Sequence, residues 1–500
     1  MERRRFLQML AAVSAAPLLL QGCGIGGPGS GPTSADTASV DPIDADILII
    51  GAGIAGLHAA MVLEEQHPSR RVVVLEAGQR VGGRMQTIEA GGQRFDVGAT
   101  DIGGNYWMTR GLAPRVGVNL LDATPDAAKA RFGGASAVGV NGKLVNASDW
   151  AGSPLNPFSG RERAIPPPAL LAAAVGGPAN PISNVHDWLS PALAANDIPM
   201  SDWLVARGWS KQAIDYMDVG ATYNGLDRVS ALDIFRRNAM QGRGPGGAPG
   251  TIVGGAQALP EAVAAKLRQP VVFGAQVSEV VQEADSVVVV SADGRRWRAP
   301  RVVMALPPGP LGSVKFSPEP PAEQRKAWAG RALTAVTAIH LKPLKAFWEA
   351  DGLPLNMWLD GSIERLFGVP GDDGRIERVL IWVNGRGAEA IDRMDDTETG
   401  RWAQRELARW RPAAADATEV LAVRSWGRDP YAMGAFAETA PGRCADTAQW
   451  TAKPLGRVHF AGEHTNFDQP GIEAALASGL RAAVEIAAAE LNPAAQAVPA

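Results

Sequence analysis

Two short apolar runs with a helical pattern between them open the folded part of the chain. Asp46–Ile50 and Arg71–Leu75 are each almost uninterruptedly apolar after their first residue. Runs of this kind are typical of strands buried on both faces of a parallel sheet. The stretch Leu57–Glu65 has helical spacing. The order strand, helix, strand predicts a βαβ unit.

The loop between the first strand and the helix contains glycines at the spacing of a dinucleotide-binding turn. Gly51 permits the tight turn, Gly53 lets a pyrophosphate approach the backbone, and Gly56 allows the helix to pack closely on the strand. Glu76 ends the second strand, where a carboxylate can accept hydrogen bonds from ribose hydroxyls. The predicted residues of this cofactor loop are Gly51, Ala52, Gly53, Ile54, Ala55 and Gly56, together with Glu76 and Ala77.

The segment after Glu76 favours FAD over NAD as the cofactor. Arg80, Gly82, Gly83 and Arg84 resemble the second phosphate-binding motif of flavoproteins with two dinucleotide-binding folds. Two arginines and a glycine pair beside the first loop can brace a pyrophosphate by charge and by close backbone approach. Nicotinamide dehydrogenases do not generally carry this extension, so we predict FAD.

Composition and charge exclude several other classes of protein. The chain has 500 residues, 46% hydrophobic and 20% charged, which suggests two joined globular domains. A net charge of −4 predicts no nucleic-acid partner. The six histidines are scattered, and no cluster has metal-ligand spacing, so we expect no metal site. Cys23 and Cys444 are the only cysteines, and no disulfide is expected within the mature domain.

The N-terminus has the pattern of an export signal. Arg3 and Arg4 stand before an apolar run, Met9–Leu20, which is too short to span a bilayer. The pair resembles a twin-arginine signal, read by machinery that exports folded proteins. A merely basic signal for export of the unfolded chain is the alternative. We predict a signal peptide at 1–22 and an exported, periplasmic or cell-envelope protein.

A lipid anchor is predicted at the end of this signal. The residues before Cys23 resemble a bacterial lipobox, in which the cysteine becomes the lipidated first residue of the mature chain. Residues 23–42 are rich in Gly, Pro, Ser and Thr, as in a flexible tether. The protein would then contact the membrane only through this lipid anchor. A coincidental cysteine near an ordinary cleavage site is the alternative.

The C-terminal part of the chain carries the most specific family resemblance. Gly462 and Glu463, followed by Pro470-Gly-Ile472 and Ser478-Gly479, resemble the flavin motif of the flavin amine oxidase family, which includes monoamine, polyamine and L-amino-acid oxidases and lysine-specific demethylases. The resemblance implies that Glu463 contacts the ribityl chain. It also implies that the helix starting near Ile472 points its positive end at the flavin pyrimidine.

Other landmarks of the family occur in order along the chain. They imply cofactor contacts at Gly98, Ala99, Thr100, Val277 and Trp426. The expected fold is a doubly wound α/β FAD domain with an inserted α+β substrate domain. The expected FAD segments are 43–105, 246–325 and 421–490, the substrate segments are 106–245 and 326–420, and 491–500 is a tail.

The resemblance also suggests catalytic residues. Lys315 matches a lysine that family members often hold near flavin N5, although alignment on Phe316-x-Pro318 puts Ser313 there instead. Phe436 would form one wall of an aromatic substrate cage whose opposite wall, near Ile472, is missing. Ala435 replaces the cysteine that attaches FAD in some members, so FAD should be non-covalent.

Asp101 stands where L-amino-acid oxidases tend to carry an arginine and polyamine oxidases an aromatic residue. It is a candidate for binding a cation, with a polar turn residue or helix cap as the alternative.

These residues predict an enzyme that oxidises a small-molecule amine. The family resemblance implies hydride transfer to FAD, hydrolysis of the resulting imine, and reoxidation by O2 or another electron acceptor, with hydrogen peroxide as the product from O2. One alternative is an FAD-dependent carbon–carbon dehydrogenase resembling phytoene desaturase or protoporphyrinogen oxidase. The other is a lipid-anchored partner protein that keeps FAD as a structural group.

Overall fold

The computed structural model describes residues 41–123, 135–241, 248–371 and 373–491. The predicted signal peptide, the lipidation site Cys23 and the tether up to residue 40 lie outside the described residues, as does the tail from residue 492. In the described part of the chain, no helix is both long enough and apolar enough to cross a bilayer.

The strands, in chain order, are β1 (Ile43–Asp44), β2 (Ile47–Ile50), β3 (Val72–Leu75), β4 (Thr87–Ala90), β5 (Gln93–Asp96), β6 (Asp101–Ile102), β7 (Leu120–Asp122), β8 (Ser136–Val140), β9 (Lys143–Asn146), β10 (Gly250–Ile252), β11 (Val277–Gln282), β12 (Val287–Ser291), β13 (Arg296–Ala299), β14 (Arg301–Met304), β15 (Lys315–Ser317), β16 (Arg331–Leu333), β17 (Val336–Pro343), β18 (Asn356–Leu359), β19 (Arg365–Pro370), β20 (Ile376–Asn384), β21 (Thr418–Ser425), β22 (Ala437–Thr439) and β23 (Val458–Phe460). The α-helices are α1 (Ile54–Gln66), α2 (Trp107–Arg115), α3 (Leu170–Val175), α4 (Met200–Ala206), α5 (Lys211–Gly220), α6 (Ala231–Gln241), α7 (Ala258–Lys266), α8 (Pro308–Leu311), α9 (Ala322–Ala329), α10 (Arg386–Ile391), α11 (Asp396–Trp410), α12 (Cys444–Trp450) and α13 (Gly471–Leu491).

A four-stranded parallel sheet, in the order β23-β14-β2-β3, lies at the centre of the predicted FAD domain. All four residues of β2 are buried, as its apolar run predicted. Alternate side chains point to opposite faces of a strand. Ile47 and Ile49 therefore join the core on the helix side, whereas Leu48 and Ile50 join the core on the other side.

The two faces of this sheet are covered differently. On one face, α1, α7 and α13 share a core with β2 and β3. Helices α1 and α13 cross so closely that a side chain at Gly479 would lie 2.4 Å from the Ala55 carbonyl oxygen. On the other face lies a second sheet, β1-β13-β12-β11-β15, in which β11, β12 and β13 are antiparallel neighbours. The predicted α/β cofactor fold is confirmed in this arrangement.

A seven-stranded sheet, β21-β17-β20-β19-β18-β8-β9, forms the centre of the second region. Helix α11 packs in its core through Trp402, Leu407 and Trp410. Helices α3 to α6 form a further core with Val138, Val140 and Trp358 of the same sheet. The strands come from two separated stretches of chain, as expected for an inserted substrate domain. The expected boundaries at 325/326 and 420/421 fall inside α9 and β21, and the domain limits remain predictions.

Candidate cofactor and active site

A cavity of about 750 Å³ begins at the carboxyl ends of β2 and β3 and is bounded elsewhere by Trp382 and Phe436. It brings together most of the predicted cofactor residues. Those that line it are Gly51, Gly53, Ile54, Ala55, Glu76, Ala77, Arg80, Gly82, Gly83, Arg84, Gly98, Ala99, Val277, Trp426, Gly462, Glu463 and Ile472. Three further predicted residues, Ala52, Gly56 and Thr100, do not line the cavity but adjoin residues that do. The Ala52 N–H donates to Glu76, the Thr100 hydroxyl donates to the Gly98 carbonyl oxygen at 3.2 Å, and Gly56 packs against Gly51.

The glycines of the first loop have distinct steric roles. Gly51 has φ of +103°, and a side chain there would lie 2.9 Å from the Ala305 carbonyl oxygen. A side chain at Gly56 would lie 2.1 Å from the Gly51 carbonyl oxygen, so helix α1 can pack on the turn only with glycine at this position. At Gly53, by contrast, no protein atom lies within 4 Å of the position a side chain would take. That open space adjoins the cavity and is available to a ligand.

Glu76 ties the first loop to the end of β3. One carboxylate oxygen accepts a hydrogen bond from the Ala52 backbone N–H at 2.8 Å, and the other accepts one from the Gly78 N–H at 2.7 Å. The carboxylate therefore has a fixed orientation at the cavity wall, where a ribose could donate to its remaining lone pairs.

Two arginines give one part of the cavity a positive character. Arg80 donates to the Gly83 carbonyl oxygen at 2.7 Å. Burial, followed by the nearby charge of Arg424, lowers the pKa of Arg80. Arg424 is a cavity residue that sequence reasoning missed: its guanidinium lies 4.0 Å from the centroid of the Trp426 ring and pairs with Asp429. Two adjacent guanidiniums suit a pyrophosphate, which would offset their repulsion.

Arg84 and Glu463, which are 379 residues apart in the chain, form an ion pair at the cavity. Arg84 donates to the Ala435 carbonyl oxygen at 2.8 Å and to a Glu463 carboxylate oxygen at 3.2 Å. The other oxygen of Glu463 accepts from the Ala437 N–H at 3.0 Å. Burial opposes ionisation of Glu463, but Arg84 and Arg331 outweigh it and lower the pKa. Glu463 is thus an ionised carboxylate with a hydrogen bond to each of its oxygens.

Helix α13 begins at the cavity, because Gly471, Ile472 and Ala475 all line it. The first N–H groups of a helix lack partners within the helix and carry partial positive charge. They can stabilise negative charge that develops on a group bound there. Gly462 is held nearby, where its N–H donates to the Ser478 hydroxyl at 2.8 Å.

Phe436, Trp382 and Ile472 form an apolar part of the cavity wall. Phe436, predicted as one wall of a substrate cage, lines the cavity, and its contact with substrate stays a prediction. Neighbouring Ala435 offers no thiol for covalent attachment of a flavin, and Cys444 is buried elsewhere, 3.3 Å from the Ser230 hydroxyl.

Two predicted catalytic residues are not brought to the cavity. Lys315 lies on β15, where pairing with Glu279 of β11 leaves its side chain exposed and outside the cavity wall. Ser313 lines the cavity instead, so the structure supports the alternative alignment on Phe316 and Pro318. Asp101 is exposed on β6 and likewise lies outside the cavity wall, although it has polar partners.

Tyr106 is a neighbour of the site that sequence reasoning missed. Its hydroxyl lies 3.3 Å from the position that a side chain at Gly471 would take. Burial, followed by the charges of Glu473, Asp101 and Glu463, raises the pKa of Tyr106 well above its usual value. The hydroxyl therefore keeps its proton beside the start of α13.

These residues fit FAD. The open position at Gly53, the paired arginines, the fixed Glu76 carboxylate and the start of α13 are the features a dinucleotide with a reducible ring requires. Within the described residues, no group of three or more His, Cys, Asp or Glu could hold a metal ion.

Comparison with known proteins agrees with this reading of the site. Residues 211–487 match the flavin-containing amine oxidoreductase family, and residues 49–106 match the NAD(P)-binding Rossmann-like domain. A putative flavin-containing monoamine oxidase of Mycobacterium tuberculosis is 29% identical over 466 residues, which cover 89% of this chain and 97% of that protein. An L-amino-acid oxidase of Mus musculus is 26% identical, covering 88% of this chain and 70% of that protein.

Solved structures show the same fold. Cyclohexylamine oxidase from Brevibacterium oxydans has a TM-score of 0.71 at 23% identity, and a putrescine oxidase variant has a TM-score of 0.71 at 21% identity. In both comparisons 90% of this chain and 100% of the other chain are covered. Because the family match spans more than half of the 500 residues, this chain belongs to the flavin-containing amine oxidoreductases and is an FAD-dependent oxidoreductase that binds its FAD non-covalently.

Proposed function

We propose that this enzyme oxidises a small-molecule amine at the carbon next to nitrogen, producing an imine that water hydrolyses, and passes the electrons to O2 to form hydrogen peroxide. The observation that carries the proposal is the apolar wall of Phe436, Trp382 and Ile472, which adjoins the start of α13 in the same cavity as the dinucleotide loop. An amine bound there would share the cavity with a dinucleotide held by that loop.

The bound FAD would supply the acceptor for the hydride equivalent. The chain's residues supply orientation and the state of the amine. An apolar wall disfavours the ammonium form and so favours the neutral amine, whose lone pair assists loss of hydride from the neighbouring carbon. The start of α13 provides the positive potential that favours electron uptake.

The test is an anaerobic titration of the purified holoenzyme, following flavin absorbance against mono-, di- and polyamines and amino acids. We expect one class to bleach the flavin, and air to restore the absorbance with formation of hydrogen peroxide. We also expect kcat/KM to rise with pH as the free amine loses its proton. If amines bleach the flavin but only an added acceptor restores its absorbance, that acceptor and not O2 takes up the electrons.

Other outcomes would contradict the proposal. A flavin that no amine bleaches, but that a substrate with an oxidisable carbon–carbon bond does, would make the protein a carbon–carbon dehydrogenase. A flavin that no substrate reduces would favour a structural role.

We also propose that the protein is exported by the twin-arginine route and anchored to the cell-envelope membrane through Cys23. The support is the sequence pattern of residues 1–23 alone. Fractionation of cells that make the full chain should find wild type in the membrane fraction and Cys23→Ser in the soluble periplasm. Replacing both Arg3 and Arg4 by lysine should leave the protein in the cytoplasm, whether position 23 is cysteine or serine. Export of the double lysine variant would point to the route for unfolded chains.

A further inference from the structure

A second cavity lies where the β4–β5 hairpin meets one end of the seven-stranded sheet. Its volume is about 380 Å³, and its walls share no residue with those of the cofactor cavity. Residues 92–94 of the hairpin form one wall, and residues 342–343 of β17 and 376–378 of β20 form the others. We call it the hairpin cavity.

Among the described residues, three cationic side chains and one carboxylate line the hairpin cavity. Arg94 comes from the hairpin, Lys342 from β17 and Arg378 from β20. The acid, Glu377, directs its carboxylate toward β19, because its carboxyl carbon lies 2.1 Å from the position that a side chain at Gly371 would take. Strand β19 lies on the side of β20 that is opposite to β17. The carboxylate therefore turns away from Lys342.

The two cations of the sheet lie opposite each other on neighbouring strands. Leu341 pairs with Val379, so Lys342 and Arg378 are the next opposite residues of these antiparallel strands. Like charges at opposite positions destabilise a sheet. Within the described residues, Lys342 forms no ion pair or hydrogen bond, although Glu419 of β21 is its neighbour on the other side. An anion in the hairpin cavity would offset the repulsion.

Both arginines of the wall are held in place by the protein. The Arg378 guanidinium lies 4.3 Å from the centroid of the Phe95 ring on β5, a stacked arrangement that fixes the plane of its N–H groups. Arg94 donates to the Gly254 carbonyl oxygen at 2.7 Å and pairs with Glu89 at 2.9 Å. Side chains held in this way lose little conformational freedom when they bind an anion.

The described wall has a surplus of positive charge, since three cations accompany one carboxylate. The pair of Arg94 with Glu89 offsets little of this surplus, because the Glu89 side chain is 73% exposed to water. A phosphate monoester carries close to two negative charges near neutral pH. Arginine and lysine are the side chains that bind phosphate oxygens through charge-assisted hydrogen bonds.

We propose that the hairpin cavity binds a dianionic phosphate group, as inorganic phosphate or as the phosphate of a small monoester. The group would lie between Arg94, Lys342 and Arg378 and so join the hairpin to the sheet. Strand β5 leads to Gly98 and Ala99 of the cofactor cavity wall, so a bound phosphate would also hold this part of that wall in place. The inference does not rest on the proposed amine oxidation, because binding and not turnover tests it.

The test is a calorimetric titration of the purified, FAD-loaded full chain with inorganic phosphate and with glycerol 3-phosphate, at an ionic strength kept constant with sodium chloride. Bound FAD keeps phosphate out of the cofactor cavity, and an unchanged flavin spectrum would verify this. We expect saturable binding at one site per chain. Lys342→Gln should weaken it at least about tenfold, because a charge-assisted contact is lost.

Lys345→Gln is the matched control. Lys345 is exposed and lies outside the cavity wall, three residues beyond Lys342, so its replacement removes the same charge from the same surface. It should change the dissociation constant by less than about twofold, since exposed charges are screened by salt. Lys342 is half-buried at the end of its strand, and an unchanged Tm without phosphate would show that Lys342→Gln folds.

Hydrogen exchange provides a second measurement, which locates the site. Saturating phosphate should slow the exchange of the backbone amides of β4 and β5 in wild type and in Lys345→Gln. It should not do so in Lys342→Gln. Slower exchange confined to other parts of the chain would contradict the proposed site.

The inference fails if phosphate shows no saturable binding. It also fails if Lys345→Gln weakens binding as much as Lys342→Gln does, which would indicate general attraction to a basic surface, or if Lys342→Gln leaves binding unchanged. Glycerophosphoglycerol is a phosphodiester with a single negative charge and should bind more weakly than glycerol 3-phosphate. Equal or tighter binding of the diester would overturn the assignment to a dianion and would indicate a lipid headgroup instead.

Discussion

At the scale of single residues, the charged side chains that line the described cavity are each held by a partner. Glu76 is bonded to two backbone N–H groups, and Arg80 to a backbone carbonyl. Arg84 is paired with Glu463, and Arg424 with Asp429. A charge held in this way does not need to reorganise when a ligand arrives, which lowers the entropic cost of binding.

Lys315 provides a residue-scale prediction about electron transfer to O2. Since its side chain is exposed and outside the cavity wall, Lys315→Ala should leave both flavin reduction and reoxidation within about twofold of wild type. Stopped-flow absorbance would measure the two half-reactions separately. Lys326→Ala, on α9, is a suitable control. A tenfold slower reoxidation in Lys315→Ala alone would mean that the lysine reaches the flavin.

The outcome for Lys315 and Arg424 shows what the sequence determines at this scale. Gly51, Gly56 and Glu76 were predictable because their roles depend on a few neighbouring residues of one loop. The direction of Lys315 depends on how β15 pairs with β11, more than 30 residues earlier in the chain. A shift of one residue in such a pairing turns a side chain to the opposite face. Arg424 comes from the far end of β21, and no local pattern links it to Arg80.

At the scale of elements, the turn from β2 to α1 separates a packing role from a ligand role. A side chain at Gly56 would collide with the Gly51 carbonyl oxygen, whereas one at Gly53 would meet no protein atom. Gly53 also has φ of −68°, which alanine adopts without strain. Gly56 therefore contributes to the free energy of folding, whereas Gly53 contributes to the free energy of cofactor binding.

This contrast gives a paired prediction. Gly56→Ala should lower the free energy of unfolding of the apoprotein by about 1–3 kcal/mol, because the helix must move off the turn. Gly53→Ala should leave it within about 0.5 kcal/mol yet weaken FAD binding at least tenfold, since the methyl group would occupy ligand space. Urea unfolding of the apoproteins and fluorescence titration with FAD would measure the two effects. Equal loss of stability in both variants would contradict the assignment.

Strand β17 contains a buried histidine that provides a pH-dependent prediction. His340 is 3% exposed, packs against Phe95 with 4.9 Å between the ring centroids and an angle of 37° between the ring planes, and has no hydrogen-bond partner at either ring nitrogen within the described residues. Burial, followed by the charge of Arg378, lowers its pKa from 6.5 to about 3. The unfolded chain therefore binds one more proton than the folded chain between these values, and stability falls as the pH drops from 6.5 toward 3.

His340→Leu should weaken this acid dependence and raise the Tm at pH 5, because leucine has no proton to gain and leaves no buried polar group unpaired. The slope that it removes is up to about 1.4 kcal/mol per pH unit. Thermal unfolding between pH 4.5 and 8 would measure it. His186→Leu, at an exposed position, is the control and should not alter the slope. An unchanged slope in His340→Leu would mean that the ring is already protonated or solvated in the folded protein.

At the scale of the whole molecule, the cavity joins parts of the chain that are far apart in sequence. Its walls come from the first βαβ unit, from β11, from the turn after β14, from the segment between β21 and β22, and from the start of α13. The order of motifs predicted the parallel sheet and the cofactor class, because each motif carries its own local geometry. The substrate-side residues were not predictable in this way, since Trp382 and Phe436 lie far apart in the sequence and pack in one cluster only in the folded chain.

A ligand that touches all these segments should stabilise the molecule as one unit. FAD added to the apoprotein should raise the Tm, with about 1.4 kcal/mol of stabilisation for each tenfold increase in concentration above Kd. ADP lacks the flavin and would fill only the end of the cavity near Glu76 and Val277. It should therefore give the same slope above its own Kd, but only at much higher concentrations. Gly53→Ala should move the FAD curve to higher concentration without changing its slope, because only affinity is altered. Thermal unfolding across a range of FAD and ADP concentrations tests this. If ADP matched FAD at equal concentration, the segments near Phe436 and α13 would add nothing to binding, and the flavin would not lie where the amine site requires it.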